Sequence, residues 1–349
     1  MTVYFITNGV NRVGGTERVI VQLAKSLSDV IIIVPGNQQC AFNGFEDLKI
    51  LSLDVGEFPD KGKLKKIVHR FEYLNEIRKK IAINSKDIVI SFSFDLNVMN
   101  VILSKSTAHR VILCEHIEYD YHKGIRNSIR KFFYRQEKVQ LVCLTETDTQ
   151  KFIADNIDTI TIPNFINPIE SHYIPNRRKL LSIGRLEYQK NFSFLIESFN
   201  YSRLYERGWT LDIIGEGSEY DSLQNMITQL KLNNFITIHK FTKDINRFYD
   251  SATILCMTSR FEAFPMVLLE AMNHGLPVLV TDFPTGAKEI LGLNNPQIVK
   301  KYDIHSYADE LIYSCNDLEV LATYSVSNKH LVGQYYPDNI VRKWKEILK

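Results

Sequence analysis

Short apolar runs alternate with amphipathic helical patterns along almost the whole chain of 349 residues. The first run, residues 3–7, precedes a helical stripe in which Val19, Ile20, Leu23 and Leu27 recur three or four positions apart. Because buried parallel strands need crossover helices, this alternation predicts open α/β sheets with helices on both faces. A chain of this length would form about two such domains.

The strand candidates form two series. The first series comprises residues 3–7, 30–35, 88–92, 111–114 and 141–144, and the second comprises residues 180–183, 210–214, 236–239, 254–257 and 277–280. A stretch near 162–179 separates the series, lacks periodicity and is rich in proline and asparagine, which is typical of a linker.

The two series predict the division of the chain. We expect an N-terminal domain over 1–165, a linker over 166–178 and a C-terminal domain over 179–336. A final helix at 337–349 is expected to pack back on the N-terminal domain. Ligands of open α/β sheets bind at the carboxyl ends of the strands, so candidate site residues should follow the strands.

Composition and charge restrict the class of protein. The formal net charge of +2 argues against a nucleic-acid-binding polycation. The five cysteines are scattered without a CxxC pair, which predicts buried, reduced thiols and a cytoplasmic protein. Residues 1–8 resemble a first strand rather than a signal peptide. No apolar run approaches the roughly 20 residues that span a bilayer, so any membrane association would be peripheral, on the inner face of the plasma membrane.

A pair of glycines, Gly14 and Gly15, follows the first strand and opens the first helix. Glycine lets the backbone approach an anion, and the amides of a helix N-terminus favour negative charge. The lysine of a phosphate-binding P-loop is missing, and no GxGxxG sequence occurs. The pair therefore predicts a phosphate-binding turn, and a turn without a ligand remains the alternative.

The most informative segment is SRFEAFPMVLLEAM at residues 259–272. Pro265 is suited to begin a helix, so Glu262 would lie in the loop before it and Glu270 along it. First-turn amides of Met266, Val267 and Leu268 would point toward an anion. Two carboxylates flanking a diphosphate could accept hydrogen bonds from sugar hydroxyls. The alternatives are an ordinary acidic residue before a helix, for Glu262, and a solvated helix face, for Glu270.

Two cations, Arg185 and Lys190, lie in the loop after the first strand of the C-terminal series. An arginine can fork onto two phosphate oxygens, whereas a lysine supplies a point charge. Their position at the carboxyl end of a strand predicts that both reach one diphosphate. Two solvated surface cations are the alternative.

Together these segments resemble family 4 retaining glycosyltransferases of the GT-B fold, over nearly the whole chain. The matching pieces are GGTER at 14–18, IPN at 162–164, GRL at 184–186 with Lys190, IGEG at 214–217, the Glu262–Glu270 pair and GLPV at 275–278. The resemblance implies an α/β protein with two Rossmann-like domains whose parallel sheets face a central cleft. It departs from the family at Ala263, where glycine is frequent, and at Phe241-Thr242.

The resemblance also implies roles for residues at the matching positions. Arg185 and Lys190 would neutralise the donor diphosphate, Glu262 would contact the donor sugar and Glu270 the ribose hydroxyls. The donor-binding set would further include the following residues: Gly14, Gly15, Ala263, Phe264, Met266 and Val267. His116, which follows a strand, matches the family's active-site histidine near the donor sugar, although a lone histidine is more often structural.

The implied reaction transfers a hexose or N-acetylhexosamine from a UDP-sugar, with retention, to a glycan acceptor. The sequence DFPTGAKEI at 282–290 resembles members that build bacterial surface polysaccharides. A GDP-sugar remains possible. No DxD sequence occurs, so we expect no metal and no cofactor beyond the nucleotide-sugar donor.

Two basic, amphipathic segments lie in the N-terminal domain. Residues 61–80 are rich in lysine and arginine, and with the next residue they carry the apolar stripe Ile67, Phe71, Leu74 and Ile81. Residues 122–138 are similarly basic, with Arg126, Arg130, Lys131 and Arg135. Such helices suit anionic membrane surfaces or lipid diphosphates, so we expect a glycan acceptor that is linked to a polyprenyl diphosphate in the membrane. A core-facing helix with a solvated basic face is the alternative.

Two other functions are compatible with this architecture. A nucleotide-sugar epimerase would consume donor without acceptor, and a non-catalytic scaffold would bind donor and yield no product. The glutamate pair together with Arg185 and Lys190 favours transfer over both.

Overall fold

The structure, a computed structural model, describes residues 1–11, 14–27, 29–36, 39–41, 46–59, 62–175, 177–242, 244–300 and 302–349, without the side chain of Lys63. The chain forms two compact units, one of Met1–Phe165 with Pro337–Lys349 and one of Ile166–Tyr336. Asn176 of the expected linker and Lys61 of the first basic segment lie outside the described residues.

The first unit is an open parallel sheet with crossover helices. Its elements are β1 (Val3–Ile6), α1 (Gly15–Leu27), β2 (Val30–Val34), β3 (Lys49–Ser52), α2 (Lys63–Lys80), β4 (Ile88–Phe92), α3 (Phe94–Thr107), β5 (Arg110–Cys114), α4 (Ile125–Tyr134), β6 (Val139–Cys143), α5 (Glu146–Ala154) and β7 (Thr159–Thr161). The strand order is β3-β2-β1-β4-β5-β6-β7, and Val3 of β1 is in register with Val30 and Ile88.

The second unit repeats this plan. Its elements are β8 (Lys179–Ile183), α6 (Phe192–Ser202), β9 (Thr210–Ile214), α7 (Tyr220–Gln229), β10 (Ile236–His239), α8 (Asn246–Ser251), β11 (Ile254–Met257), α9 (Met266–Asn273), β12 (Val278–Thr281), α10 (Gly286–Leu291), β13 (Ile298–Val299), α11 (Ile304–Asn316) and α12 (Leu318–Val332). The strand order is β10-β9-β8-β11-β12-β13, again parallel.

The chain then returns to the first unit through α13 (Pro337–Ile347). This helix contacts α1, and Trp344 and Ile347 join the buried core around Ile20 and Leu23. Residues 166–178 belong to the second unit, where the Tyr173 hydroxyl donates to the Thr253 carbonyl at 3.0 Å.

Each sheet has a switch point, where the strand order reverses beside the first strand of the unit. In the first sheet the switch point lies between β1 and β4, and in the second between β8 and β11. The loops at the carboxyl ends of these strands form the crevice in which open α/β sheets bind ligands. Candidate sites are therefore expected after β1 and β4, and after β8 and β11.

The expected apolar stripe of α2 is only half correct. Leu74 and Ile81 of the expected stripe are buried, whereas the side chains of Ile67 and Phe71 are 48% and 60% exposed. The N-terminal half of α2 therefore presents apolar residues to the surface instead of the core. In the second basic segment, the prediction of a basic surface is wrong for Arg130, because this side chain is fully buried.

The thiols of Cys114, Cys143, Cys256 and Cys315 are buried and unpaired, and Cys40 is partly buried and also unpaired. Over the described part of the chain, no helix combines the length and apolar character needed to cross a membrane.

Candidate functional site

An ion pair joins the two loops at the switch point of the second sheet. Lys190 Nζ, from the loop after β8, lies 2.5 Å from Glu262 Oε1, from the loop after β11. The two side chains are only 14% and 11% exposed. Ser259 Oγ donates to the same carboxylate oxygen at 2.8 Å. The side chains expected to contact the diphosphate and the donor sugar thus contact each other.

Arg185 lies at the start of the same loop, and its side chain is exposed. Its Nη2 donates to Gln189 Oε1 at 3.4 Å, and Gln189 Nε2 donates to the Phe261 carbonyl at 3.0 Å. The guanidinium is therefore connected through Gln189 to the loop that carries Glu262. Exposure leaves it accessible to an anion that enters beside Lys190.

Glycines hold the loop after β8 against the loop after β9. A Cβ on Gly215 would lie 1.9 Å from the Gly184 carbonyl oxygen, and one on Gly217 would lie 2.3 Å from the Leu186 carbonyl oxygen. The Leu186 amide donates to the Glu216 carbonyl at 2.9 Å. Only glycine permits this backbone approach, so IGEG at 214–217 supports the loop that presents Arg185 and Lys190.

The helix α9 begins directly after Pro265. The first-turn amides of Met266 and Val267 have no acceptor within the helix. The Leu268 amide, also expected to face an anion, instead donates to the Pro265 carbonyl at 3.1 Å. The N-terminus of α9 therefore offers fewer amides than the sequence suggested.

Glu270 is partly buried along α9, and the solvated-face alternative is wrong in that respect. The Tyr249 hydroxyl donates to Glu270 Oε2 at 2.7 Å. Tyr249 in turn stacks on His274, with ring centroids 4.9 Å apart. The carboxylate thus has a fixed orientation, which suits a group that grips a diol.

The loop before α9 is held in place by residues that follow β12. Thr285 Oγ1 donates to the Glu262 carbonyl at 2.9 Å, although Thr285 has a φ of 68°, a strained value for a β-branched residue. A Cβ on Gly286 would lie 2.9 Å from the Ala263 carbonyl oxygen. The Phe264 side chain is buried against Tyr335, so only its backbone is placed to meet a ligand.

In the first unit, Gly14 and Gly15 lie at the N-terminus of α1, as expected for an anion-binding turn. However, the carboxylate of Glu17 folds over Gly14, because its Oε2 is 2.2 Å from where a Cβ would stand. An acidic side chain is itself stabilised at a helix N-terminus. A phosphate would have to displace Glu17 to use this turn.

His116 follows β5, and its ring lies 5.8 Å from that of Phe92. Burial lowers the pKa of His116 to about 4, so the imidazole is neutral at pH 7. The residue lines a cavity of about 10 Å³, the size of a single water molecule, together with Asn164 and Trp344. A neutral imidazole can donate one hydrogen bond and accept another.

The sequence analysis gave no role to several residues that shape the site of the second unit. Arg260 lies over the Tyr188 ring at 4.2 Å and donates to Asn191 Oδ1 at 2.8 Å. Ser259 and Arg260 adjoin the glutamate segment and could have been flagged from that position. Tyr249 gave no signal, because nothing in its local pattern relates it to Glu270.

A metal site was not expected from the sequence. Among the residues that the structure describes, no group of three or more His, Cys, Asp or Glu side chains is arranged to hold a metal ion.

Comparison with known proteins shows that the chain is similar to glycosyltransferases. Residues 168–325 match the family model described as "Glycosyl transferases group 1". The chain is similar to the amylovoran biosynthesis glycosyltransferase AmsD of Erwinia amylovora, with 27% identity over 98% of each chain.

Two solved structures share the fold. The apo form of the lipopolysaccharide outer core galactosyltransferase WaaB has 17% identity and a TM-score of 0.76, over 99% of this chain and 98% of that one. Anabaena HepE in complex with UDP has 17% identity and a TM-score of 0.78, over 100% of this chain and 99% of that one. The predicted GT-B architecture of two parallel α/β sheets is confirmed, and the family match supports a glycosyltransferase.

Proposed function

We propose that the chain is a retaining glycosyltransferase that moves a hexose or N-acetylhexosamine from a UDP-sugar to a lipid-linked glycan in surface polysaccharide synthesis. The observation that carries the proposal is the meeting of Lys190, Arg185 and Glu262 beside the N-terminus of α9 at a sheet switch point. The similarity to AmsD, which is named for amylovoran biosynthesis, supports a role in polysaccharide synthesis, and the UDP complex of HepE supports a uridine donor.

Charge on the leaving diphosphate is the main problem that this site solves. As the anomeric bond breaks, negative charge grows on UDP, and preorganised donors lower the barrier most when they face that charge. In the proposal Lys190, Arg185 and the first-turn amides of Met266 and Val267 carry this role without a metal ion.

The Lys190–Glu262 pair couples diphosphate binding to sugar binding. A phosphate that attracts Lys190 Nζ weakens its contact with Glu262 and frees a carboxylate oxygen for a donor-sugar hydroxyl. Ser259 remains as a second partner of that carboxylate, so Glu262 keeps its position. The ion pair therefore holds both groups in place before the donor arrives.

The remaining assignments follow the same proposal. Glu270, oriented by Tyr249, accepts hydrogen bonds from the ribose hydroxyls. The backbone of Ala263 and Phe264 lies along the donor. In the first unit, Gly14, Gly15 and the neutral His116 are assigned to substrate binding.

A thermal-shift screen with UDP, GDP and ADP tests the donor assignment. UDP at 100 times its Kd should stabilise the protein by about 2.7 kcal/mol, through linkage of binding to folding. GDP and ADP at equal concentration should shift the melting temperature less. A larger shift with GDP would assign a different base, and no shift with any nucleotide would reject the proposal.

Product analysis separates the alternatives, neither of which the family match supports. An α-linked product from an α-linked UDP-sugar is expected for retention. An epimer or free sugar formed without acceptor would indicate an epimerase instead. Donor binding without product for any lipid-linked acceptor would indicate a scaffold.

We also propose that the first unit docks on an anionic membrane surface. In α2 and α4 the side chains of Leu64, Phe71, Ile125 and Phe132 are 74%, 60%, 81% and 65% exposed among basic residues. An exposed apolar face flanked by cations is the pattern of an interfacial helix.

Vesicle flotation tests this surface. The double variant Ile67→Gln/Phe71→Gln should bind vesicles of anionic lipid at least about tenfold more weakly, because two half-buried apolar side chains contribute roughly 1.4 kcal/mol or more. Val326→Gln, at an exposed apolar site of α12, is the matched control and should bind like wild type. Equal binding to neutral and anionic vesicles would contradict the proposal.

A further inference from the structure

The N-terminus of α3 lies at the switch point of the first sheet, directly after β4. The first-turn amides of Phe94, Asp95 and Leu96 have no acceptor within this helix. Ser93 precedes it but makes no side-chain cap bond. Ser93 Oγ is buried and has no hydrogen-bond partner within the described residues. This helix end is therefore uncapped where the fold favours a ligand.

Two arginines from different helices converge on this helix end. Arg70 of α2 donates through Nη2 to Asp95 Oδ2, and Arg126 of α4 lies 3.3 Å from the same oxygen. Arg126 also lies over the Phe94 ring at 4.7 Å. One carboxylate thus faces two guanidinium groups, so the local charge is positive before any ligand binds.

A buried histidine completes the cluster. His122 is 6% exposed, its ring lies 4.7 Å from that of Phe94, and its Nε2 is unpartnered among the described residues. Burial, and then repulsion from Arg126 and Arg130, lowers the pKa of His122 to about 4. The ring is therefore neutral at pH 7 and can donate a hydrogen bond to an anion.

Exposed apolar residues adjoin both arginines on their own helices. Ile67 and Phe71 flank Arg70 on α2, and Ile125 and Ile129 flank Arg126 on α4. An anion held at the N-terminus of α3 would therefore have apolar surface on two sides. This combination matches a phosphate group attached to a long apolar chain, and it does not match a free sugar nucleotide.

We infer that the N-terminus of α3 binds the phosphate of a lipid-linked acceptor, and that the side chains of Arg70, Arg126 and His122 contact this phosphate. This rests on the proposed function only for the identification of the ligand as an acceptor. The side chain of Arg126 is 51% exposed, so it has room to exchange Asp95 for the phosphate. The lipid chain lies along the exposed faces of α2 and α4.

Equilibrium dialysis with farnesyl diphosphate below its micelle concentration, at saturating UDP, tests the inference. Arg70→Gln and Arg126→Gln should each weaken binding about tenfold, as expected for a charge-assisted contact. Asp95→Asn should tighten binding severalfold, because it removes the carboxylate that competes for both arginines. Arg110→Gln is the matched control and should bind like wild type, since Arg110 lies at the amino end of β5, whereas α3 begins after the carboxyl end of β4.

Three results would overturn the phosphate-binding role of this site. They are unchanged binding in both arginine variants, equal weakening by Arg110→Gln, and equally tight binding of farnesol without its diphosphate. Inorganic diphosphate that bound as tightly as farnesyl diphosphate would limit the site to free phosphate and reject the lipid. UDP binding, followed separately by thermal shift, reports on the proposed donor site, so its failure is distinguishable from failure of this site.

Discussion

Replacement of Lys190 by alanine is expected to reduce kcat/KM for glycosyl transfer at least about 100-fold, the effect of removing one preorganised donor from a developing negative charge. Lys190 Nζ is the cation held within the site, 2.5 Å from Glu262 and largely shielded from solvent. Initial rates with a UDP-sugar and a lipid-linked acceptor measure the effect. Near-wild-type rates would reject the assignment.

The matched control is Lys179→Ala. Lys179 lies in the same unit, begins β8 and pairs with Asp212 at 3.2 Å, but at the end of the strand remote from the loops. This partly exposed pair is worth about 1 kcal/mol or less, so the rate should change less than about twofold.

A structural effect of Lys190→Ala must be separated from a chemical one. The variant leaves Glu262 buried without its cation, which destabilises a protein by several kcal/mol in comparable cases. The double variant Lys190→Ala/Glu262→Gln removes both charges and should recover part of the lost stability. Recovery of turnover along with stability would show that Lys190 acts through folding alone.

The sequence was sufficient to predict the central strands of both sheets and insufficient to predict the edge strands. Strands such as β4 and β9 are mostly apolar and buried on both faces, with Ser91 and Asp212 as polar exceptions, and they were predicted within a residue of their ends. β3 contains the exposed residues Lys49 and Leu51, and β13 has only two residues, so neither shows a period. Edge pairing depends on a neighbouring strand that local sequence does not reveal.

The candidate site was predicted in its parts and not in its connections. Lys190 and Glu262 are 72 residues apart, and each was found from its position after a strand. Their ion pair follows from the crossing that places β8 beside β11. Tyr249 could not be predicted as the partner of Glu270 for the same reason, because their contact depends on where α8 packs in the folded unit.

The cluster at α3 shows this limit more strongly. Ser93 and Asp95 stand in an apolar context, and the two arginines come from helices 25 and 31 residues away along the chain. The basic residues of α2 and α4 were predicted to face an anionic membrane surface or a lipid diphosphate, without any one of them being assigned to a site. Only the folded arrangement concentrates two of them on one helix end.

Glu270→Ala is expected to lower kcat/KM with a UDP-sugar at least about tenfold, because a carboxylate bonded to a hydroxyl contributes roughly 1.5–3 kcal/mol. Loss of a contact made equally in the ground and transition states would appear mainly in KM. The control Glu197→Ala removes an exposed glutamate from α6 of the same unit and should have no effect. Steady-state kinetics of both variants give the comparison.

A donor lacking the ribose 2′-hydroxyl distinguishes direct contact from positioning. If Glu270 grips that hydroxyl, the deoxy donor should be a poor substrate for wild type and no poorer than the full donor for Glu270→Ala, as in a double-mutant cycle. Tyr249→Phe removes the 2.7 Å hydrogen bond to Glu270 but keeps the carboxylate, so it should retain discrimination against the deoxy donor. Glu270→Ala and removal of the 2′-hydroxyl should each delete the same contact, so their effects should not add. If wild type and Glu270→Ala were equally sensitive to the missing hydroxyl, Glu270 would not contact that hydroxyl.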